Sequence, residues 1–302
     1  MEAFLSLAFL VQIVRISVPY VLASLGGTFS ERGGTVNIAL EGIMLTGAFG
    51  FVLGAHLTGS AWLGLVAGAG AGIALSALFA LATIRFGADQ IVCGVAVNLL
   101  AVGVTRFALK MVWDSSSNSA RVESIEPLAL AEGTAGIVLG VLTHPLILLA
   151  VLLVAGGHLL LFHTRFGLRL RACGEHPHAA ASLGVAVRRM RWYGVLLSGL
   201  LAGLAGVWLA SDQHQFTDNM TGGRGYIALA AMIVGRWRPG LAAAACLLFG
   251  AADAVQMTLA GAGIAIPSQF LQMLPYVLTI VAVVGFMGRA TPPAAVGQVY
   301  EE

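Results

Sequence analysis

Hydrophobic positions in this chain form long unbroken runs rather than the alternation of a half-buried strand. Runs of helical length fall at about 5–27, 35–58, 61–84, 90–109, 143–162, 192–210, 239–260 and 267–288, with a shorter one at 226–235. The long runs are rich in Leu and Ala and come close to the ~20 residues that cross a hydrocarbon layer ~30 Å thick. A membrane barrel is excluded by the same pattern, because its strands alternate over segments of about ten residues. The pattern predicts an all-α polytopic membrane protein.

Composition agrees. The chain has 302 residues, 58% hydrophobic and 10% charged, with a mean hydropathy of +0.90, whereas a soluble domain carries roughly 25% charged residues. The length allows on the order of eight to ten crossings. Residues 1–302 read as a single transmembrane domain with little left for a soluble one. No G-x-x-x-x-G-K-[ST] loop occurs, so nucleotide hydrolysis within the chain is not expected. Cys93, Cys173 and Cys246 are odd in number and form no C-x-x-C pair, which argues against a disulfide frame or a zinc site. The start, MEAFLSLAFL, lacks a basic region and reads as the first span rather than a cleaved signal.

The net charge of +2 says little; its distribution says more. Arg165, Arg169, Arg171, Arg188, Arg189 and Arg191 crowd one stretch that only Glu175 offsets. The positive-inside rule puts loop 163–191 in the cytoplasm. Loop 110–142 sets Lys110 and Arg121 against Asp114, Glu123, Glu126 and Glu132, so it belongs outside. Loop 211–225, with Asp212 and Asp218 against Arg224, belongs there too, and Arg236 and Arg238 return the chain inside. Tyr226 to Gly235 makes only roughly 15 Å of helix, half a bilayer. That crossing must be broken, with GGRGY at 222–226 as its irregular part, and such backbone is tolerated only under protein or beside water. The front end leaves two topologies open. If 35–58 is one span the N-terminus lies outside; if it dips and returns, or crosses twice, the N-terminus lies inside.

Glycine occurs 39 times, well above the usual ~7%. The spacings Gly68/Gly72 and Gly199/Gly203 point to close helix–helix contact. An ionisable group at a span centre costs roughly 2.5–3.5 kcal/mol, and Glu41 and Asp253 are the clear cases, Arg15 and Arg106 lying nearer span ends. SERGGTVNIALEG, residues 30–42, sets Asn37 and Glu41 four apart on one helical face, behind Gly33 and Gly34, which favour a break. A broken helix beside polar side chains at mid-depth is how transporters present backbone dipoles to a solute. The alternative is that Glu41 pairs with a buried arginine, or is protonated, and locks helices together. Gln90 and Asn98 share a face of the fourth span, as interhelical hydrogen bonds or as solute ligands. Asp253 with Gln256 reads as structural. Ser198 invites comparison with an intramembrane protease, but small-residue packing explains SGLLAGLAG. His176 and His178 have no third ligand in reach by sequence and read as solvated loop, so neither a catalytic residue nor a metal site is expected.

Three stretches resemble one family: FSERGGTVNIALEGIMLTGAF (29–49), TRFGLRLRACGEHPHAAASLGV (164–185), and GGRGYIALAAMIVGRWRPG (222–240) with LPYVLTI from Leu274. They are similar to the permease subunits of ABC importers for simple sugars and branched-chain amino acids, and within these to the nucleoside importers. The resemblance implies about ten transmembrane helices with broken or re-entrant segments and both termini inside. It implies a second permease subunit, a cytoplasmic ABC ATPase that binds ATP and Mg, and an extracytoplasmic substrate-binding protein or lipoprotein. No cofactor in this chain and no nucleic-acid partner are expected, and the location is the bacterial or archaeal cytoplasmic membrane, with the lipid bilayer around it. In the family the arginine-rich loop carries a coupling helix that seats in the ATPase; matched here, it gives Gly174, Glu175, Pro177, Ala179, Ala180 and Gly184. The residues support this independently: a helix can start near Pro177 with Glu175 at its positive end.

The function expected is ATP-driven import by alternating access, with nucleosides as solute. A neutral nucleoside needs hydrogen-bonding groups and apolar surface, which suits Asn37, Gln90 and Asn98 beside Glu41, with Phe107 and Tyr226 as stacking surfaces. A pentose or a branched-chain amino acid is the alternative solute. From another class, a proton-coupled secondary transporter would use Glu41 or Asp253 as its relay, and a self-sufficient channel would need no ATPase.

Overall fold

The computed structural model describes residues 7–128, 136, 139–141, 143–261, 273, 277, 280–281, 284–285 and 291–300. The helices are α1 (Leu7–Arg32), α2 (Leu40–Thr58), α3 (Ala61–Ala80), α4 (Gln90–Trp113), α5 (Pro145–His163), α6 (Arg165–Glu175), α7 (Pro177–Ser182), α8 (Val187–Gln213), α9 (Arg224–Val234) and α10 (Pro239–Gly261). A π-helical turn, Leu81–Arg85, extends α3. Among the described residues the only strand-like pairing is one bridge, Asn118 to Thr217. Seven helices, namely α1, α2, α3 with its π turn, α4, α5, α8 and α10, are long and apolar enough to cross a membrane. The run expected at 267–288 lies largely outside the described residues, so these supply seven full-length spans and one half-length helix against the ten or so expected.

Three helices form the tightest part of the bundle. Gly47 of α2, Gly68 and Gly72 of α3, and Gly199, Gly203 and Gly206 of α8 face one another, backbone to backbone. A Cβ on Gly68 would lie 2.6 Å from Gly47 O, and one on Gly206 would overlap Met44 O. Lipid tails are as apolar as leucine, so helices associate here by close contact, and a missing side chain permits that contact.

The chain between α1 and α2 decides one question that the sequence left open and corrects one expectation. First, α2 is one continuous helix of 19 residues, about 28 Å long, so 35–58 neither dips and returns nor crosses twice. Second, Asn37 and Glu41 do not share a helical face. The chain leaves α1 through Gly34, whose φ of +93° suits only glycine well, and α2 begins at Leu40. Asn37 lies in the break, its Oδ1 accepting a hydrogen bond from Ala39 N at 3.1 Å. Asparagine binding the backbone two residues on competes with helix formation, which is why the four-residue spacing misled.

The loops segregate as their charges predict. At one end, 114–128 and 211–218 are stitched together by Ser119 N to Phe216 O and Val122 N to His214 O, both 2.9 Å. Arg15 meets Asp212 at 2.5 Å and Arg106 meets Asp218 at 2.5 Å at that end. At the other end lie α6, α7, the turn after α9, and residues 291–300, where Ala295 N donates to Gly174 O at 2.8 Å. The start of α1 and residues 291–300 therefore sit at opposite ends of the bundle, not at the same end as the family resemblance implied.

Candidate functional site

The half-length crossing is built as its composition requires. Residues 214–223 are irregular, with left-handed φ at His214 (57°), Asn219 (54°), Gly222 (51°) and Gly223 (86°). Then α9 runs for 11 residues, about 16 Å. Its N-terminus leaves unpaired N–H groups and a partial positive charge in the interior. Glu41 answers both: Oε1 accepts from Gly223 N at 2.7 Å and Oε2 from Gly225 N at 2.6 Å. Gly225 must be glycine, because a Cβ there would lie 2.6 Å from Glu41 N.

The other polar residues singled out by sequence hold the first break in the same way. Gln90 Oε1 accepts from Val36 N at 2.7 Å. Asn98 Oδ1 accepts from Gly42 N at 2.8 Å, while its Nδ2 donates to Ile38 O and to the Tyr226 hydroxyl, each at 3.0 Å. Asn37 Nδ2 donates to Ser198 Oγ at 2.9 Å, so Ser198 is a packing partner within α8. Asn37, Glu41, Gln90, Asn98 and Tyr226 thus converge where the two breaks meet. The ring of Tyr226 is 48% exposed there. Phe107 is not part of the cluster: it is 68% exposed, and nine residues on from Asn98 it faces the opposite side of α4.

Sequence reasoning passed over two residues at this place. Thr35 and Thr221, one in each break, are fully buried, and their hydroxyls have no hydrogen-bond partner among the described residues. It also missed two cavities at the end carrying 114–128, of about 540 and 460 Å³. They share Arg15, Trp208 and Asp212, and Arg224 at the head of α9 lines the smaller one. Asp253 lines neither cavity and accepts a hydrogen bond from the Tyr20 hydroxyl.

At the opposite end α6 and α7 form an angular projection. Proline at the first position of α7 starts it. Gly174 is buried against the end of α1, where a Cβ would overlap Arg32 O, and Glu175 lies 3.8 Å from Arg32. Ala180 packs inward on Cys173 and Val187, and burial pushes the Cys173 thiol up to about 11. Ala179 and Gly184 are exposed, Pro177 is half-buried, and Leu183 at the tip is 85% exposed, an apolar point the sequence reading did not single out. His176 and His178 are exposed too, and among the described residues no three His, Cys, Asp or Glu side chains group to hold a metal.

The family described as branched-chain amino acid transport system / permease component matches residues 9–284. The chain belongs to that family. Its members are transport subunits rather than enzymes, which agrees with a multi-pass chain whose polar residues converge on helix breaks. Guanosine ABC transporter permease protein NupQ of Bacillus subtilis is 41% identical over 94% of this chain and 93% of its own length. Nucleoside ABC transporter permease protein NupC of Lactococcus lactis is 40% identical over 94% and 93%. A Haloferax volcanii protein provisionally named as a glucose ABC transporter permease, TsgC13, is 34% identical over 81% and 75%. No solved structure matches.

Proposed function

We propose that this chain is the transmembrane subunit of an ATP-driven importer of nucleosides, working by alternating access in a bacterial or archaeal cytoplasmic membrane. The observation that carries the substrate class is the identity of 41% and 40% with permeases named for guanosine and nucleosides, over nearly the full length of each. A cytoplasmic ATPase binding ATP and Mg, a substrate-binding protein and a second permease complete the transporter.

Solute enters through the cavities around Arg15, Trp208 and Asp212 and descends to the junction of the two breaks. There the exposed ring of Tyr226 suits a molecule with a flat base. Asn37, Glu41, Gln90 and Asn98 form the wall by holding the broken backbone. The projection with Gly174, Glu175, Pro177, Ala179, Ala180 and Gly184, in loop 163–191, seats in the ATPase. The two packings are biased in opposite directions by the nucleotide state and by the loaded binding protein.

Uptake of labelled adenosine and uridine, in cells with and without the gene, tests this under ATP depletion, under a protonophore, and with excess ribose. Gene-dependent uptake that needs ATP and ignores ribose is expected. Competition by ribose would move the substrate to sugars, a reading the relative named for glucose favours. Loss under a protonophore with ATP maintained would make the chain a proton-coupled carrier.

A further inference from the structure

The segment after the last apolar run lies outside the family match, which ends at residue 284. Exposed chain ends ordinarily fray unless tied down. This one is tied to three separate elements. Ala294 N donates to Glu175 Oε2 at 3.2 Å and Ala295 N to Gly174 O at 2.8 Å, both at the end of α6. Gly297 N donates to Gly34 O at 3.2 Å, in the break after α1. Gln298 O accepts from Arg191 Nη1 of α8 at 2.7 Å.

The bonds are ones the rest of the fold leaves open. Gly174 O sits at a helix C-terminus, where carbonyls lack intrahelical partners. Arg191 is 3% exposed, and its Nε and Nη2 have no hydrogen-bond partner among the described residues. A buried guanidinium without an acceptor is strongly unfavourable, and Gln298 O is the acceptor it has. The Tyr300 ring lies 6.0 Å from the Arg191 guanidinium and 5.3 Å from the His178 ring of α7. Gly297, at φ +81°, makes the turn that lets one short segment reach all of these.

We infer that residues 293–300 are a positioning strap that binds the projection α6–α7 to the break at Gly34, so that the two move together. On the functional reading above, on which this rests, displacement of the ATPase-docking surface is carried through Gly174 and Gly34 to the segment holding Thr35 and Asn37. The strap therefore raises the yield of transport per ATP rather than the rate of hydrolysis.

The test uses the full transporter in proteoliposomes, with two permease variants: one ending after Ala290, and Gly297→Val, which keeps the full length but cannot hold φ +81° without strain. Labelled nucleoside imported per ATP hydrolysed is expected to fall about fivefold or more in both, with the ATPase still bound. In the permease alone, with Cys93→Ser, Cys173 is expected to become reactive to a maleimide in both variants. An unchanged ratio of solute to ATP overturns the inference, as does a Cys173 that stays protected. If the shortened chain fails to assemble, Gly297→Val decides. If the unaltered transporter imports no nucleoside, the functional reading falls, and Cys173 labelling still reports whether the strap holds the projection.

Discussion

Two buried regions of this molecule solve the same problem by opposite means. Where α2, α3 and α8 meet, glycines bring backbones together and no polar side chain is needed except Ser76 against Gly199. Where the breaks at 33–39 and 214–223 meet, carboxylate and amide side chains reach across to unpaired backbone groups. The first kind of contact is short-ranged and intolerant of added volume. The second is directional, and each group it leaves unpaired carries the full desolvation penalty. One hydrogen bond, Asn37 Nδ2 to Ser198 Oγ, joins the two regions. A transporter needs a part that keeps its shape and a part that can exchange partners, and these two are built for those roles.

The sharpest way to break the comparison is in the glycine region. Gly206→Leu should abolish accumulation of folded permease, because the new side chain would start inside Met44 O, a clash well beyond the 1–3 kcal/mol of ordinary overpacking. Membrane-fraction immunoblotting checks this, and normal accumulation would show that the helices can separate there.

Glu41→Ala comes next. It strips the buried N–H of Gly225 and the part-buried N–H of Gly223 of their acceptor, at about 1–3 kcal/mol for the buried one and less for the other. Nucleoside uptake should vanish and thermal stability in detergent should drop, while Glu41→Gln, which keeps one acceptor oxygen, should recover part of both. A third variant, Asn37→Leu, cuts the link between the regions. Uptake should be lost with the assembled transporter still forming, since the glycine contacts are untouched; surviving transport would remove Asn37 from the pathway wall.

Smaller effects should follow at the edges. Tyr226→Phe takes away one of two acceptors for Asn98 Nδ2, so stability should change by less than about 1 kcal/mol. Any larger loss of uptake would then assign the hydroxyl to the solute. Outside both regions, His144 Nδ1 accepts from Leu146 N at 3.2 Å at the head of α5, which requires the neutral ring. Burial holds its pKa below the usual histidine value, reinforced by Arg15. The contribution is present above the unfolded value of about 6.5 and is lost as pH falls through the depressed folded value, by no more than about 1 kcal/mol. His144→Asn, which keeps a cap acceptor, should flatten that slope in thermal melts against pH.

The sequence by itself determined what depends on local composition. Apolar run lengths located the spans, because a bilayer sets a fixed thickness. Arginine clustering sorted the loops between ends, and the ten apolar residues from Tyr226 to Gly235, too few to span a bilayer, required a broken crossing. Small-residue spacing marked Gly68, Gly72, Gly199 and Gly203 as a contact surface, since i and i+4 share a helical face.

Only the tertiary structure decided what each polar residue does. Glu41 meets Gly223 and Gly225 across more than 180 residues of sequence, and helical periodicity carries no information about a partner that far away. It also misplaced Asn37, whose bond to Ala39 N ends the helical pattern, and set Phe107 beside residues that lie on the other side of α4. The tail 293–300 has no apolar period at all, so its grip on Gly34, Gly174 and Arg191 is invisible until the chain is folded. Periodicity reports which face of an element is apolar; which buried donor finds which acceptor is settled by packing, where every unpaired group in the interior is penalised.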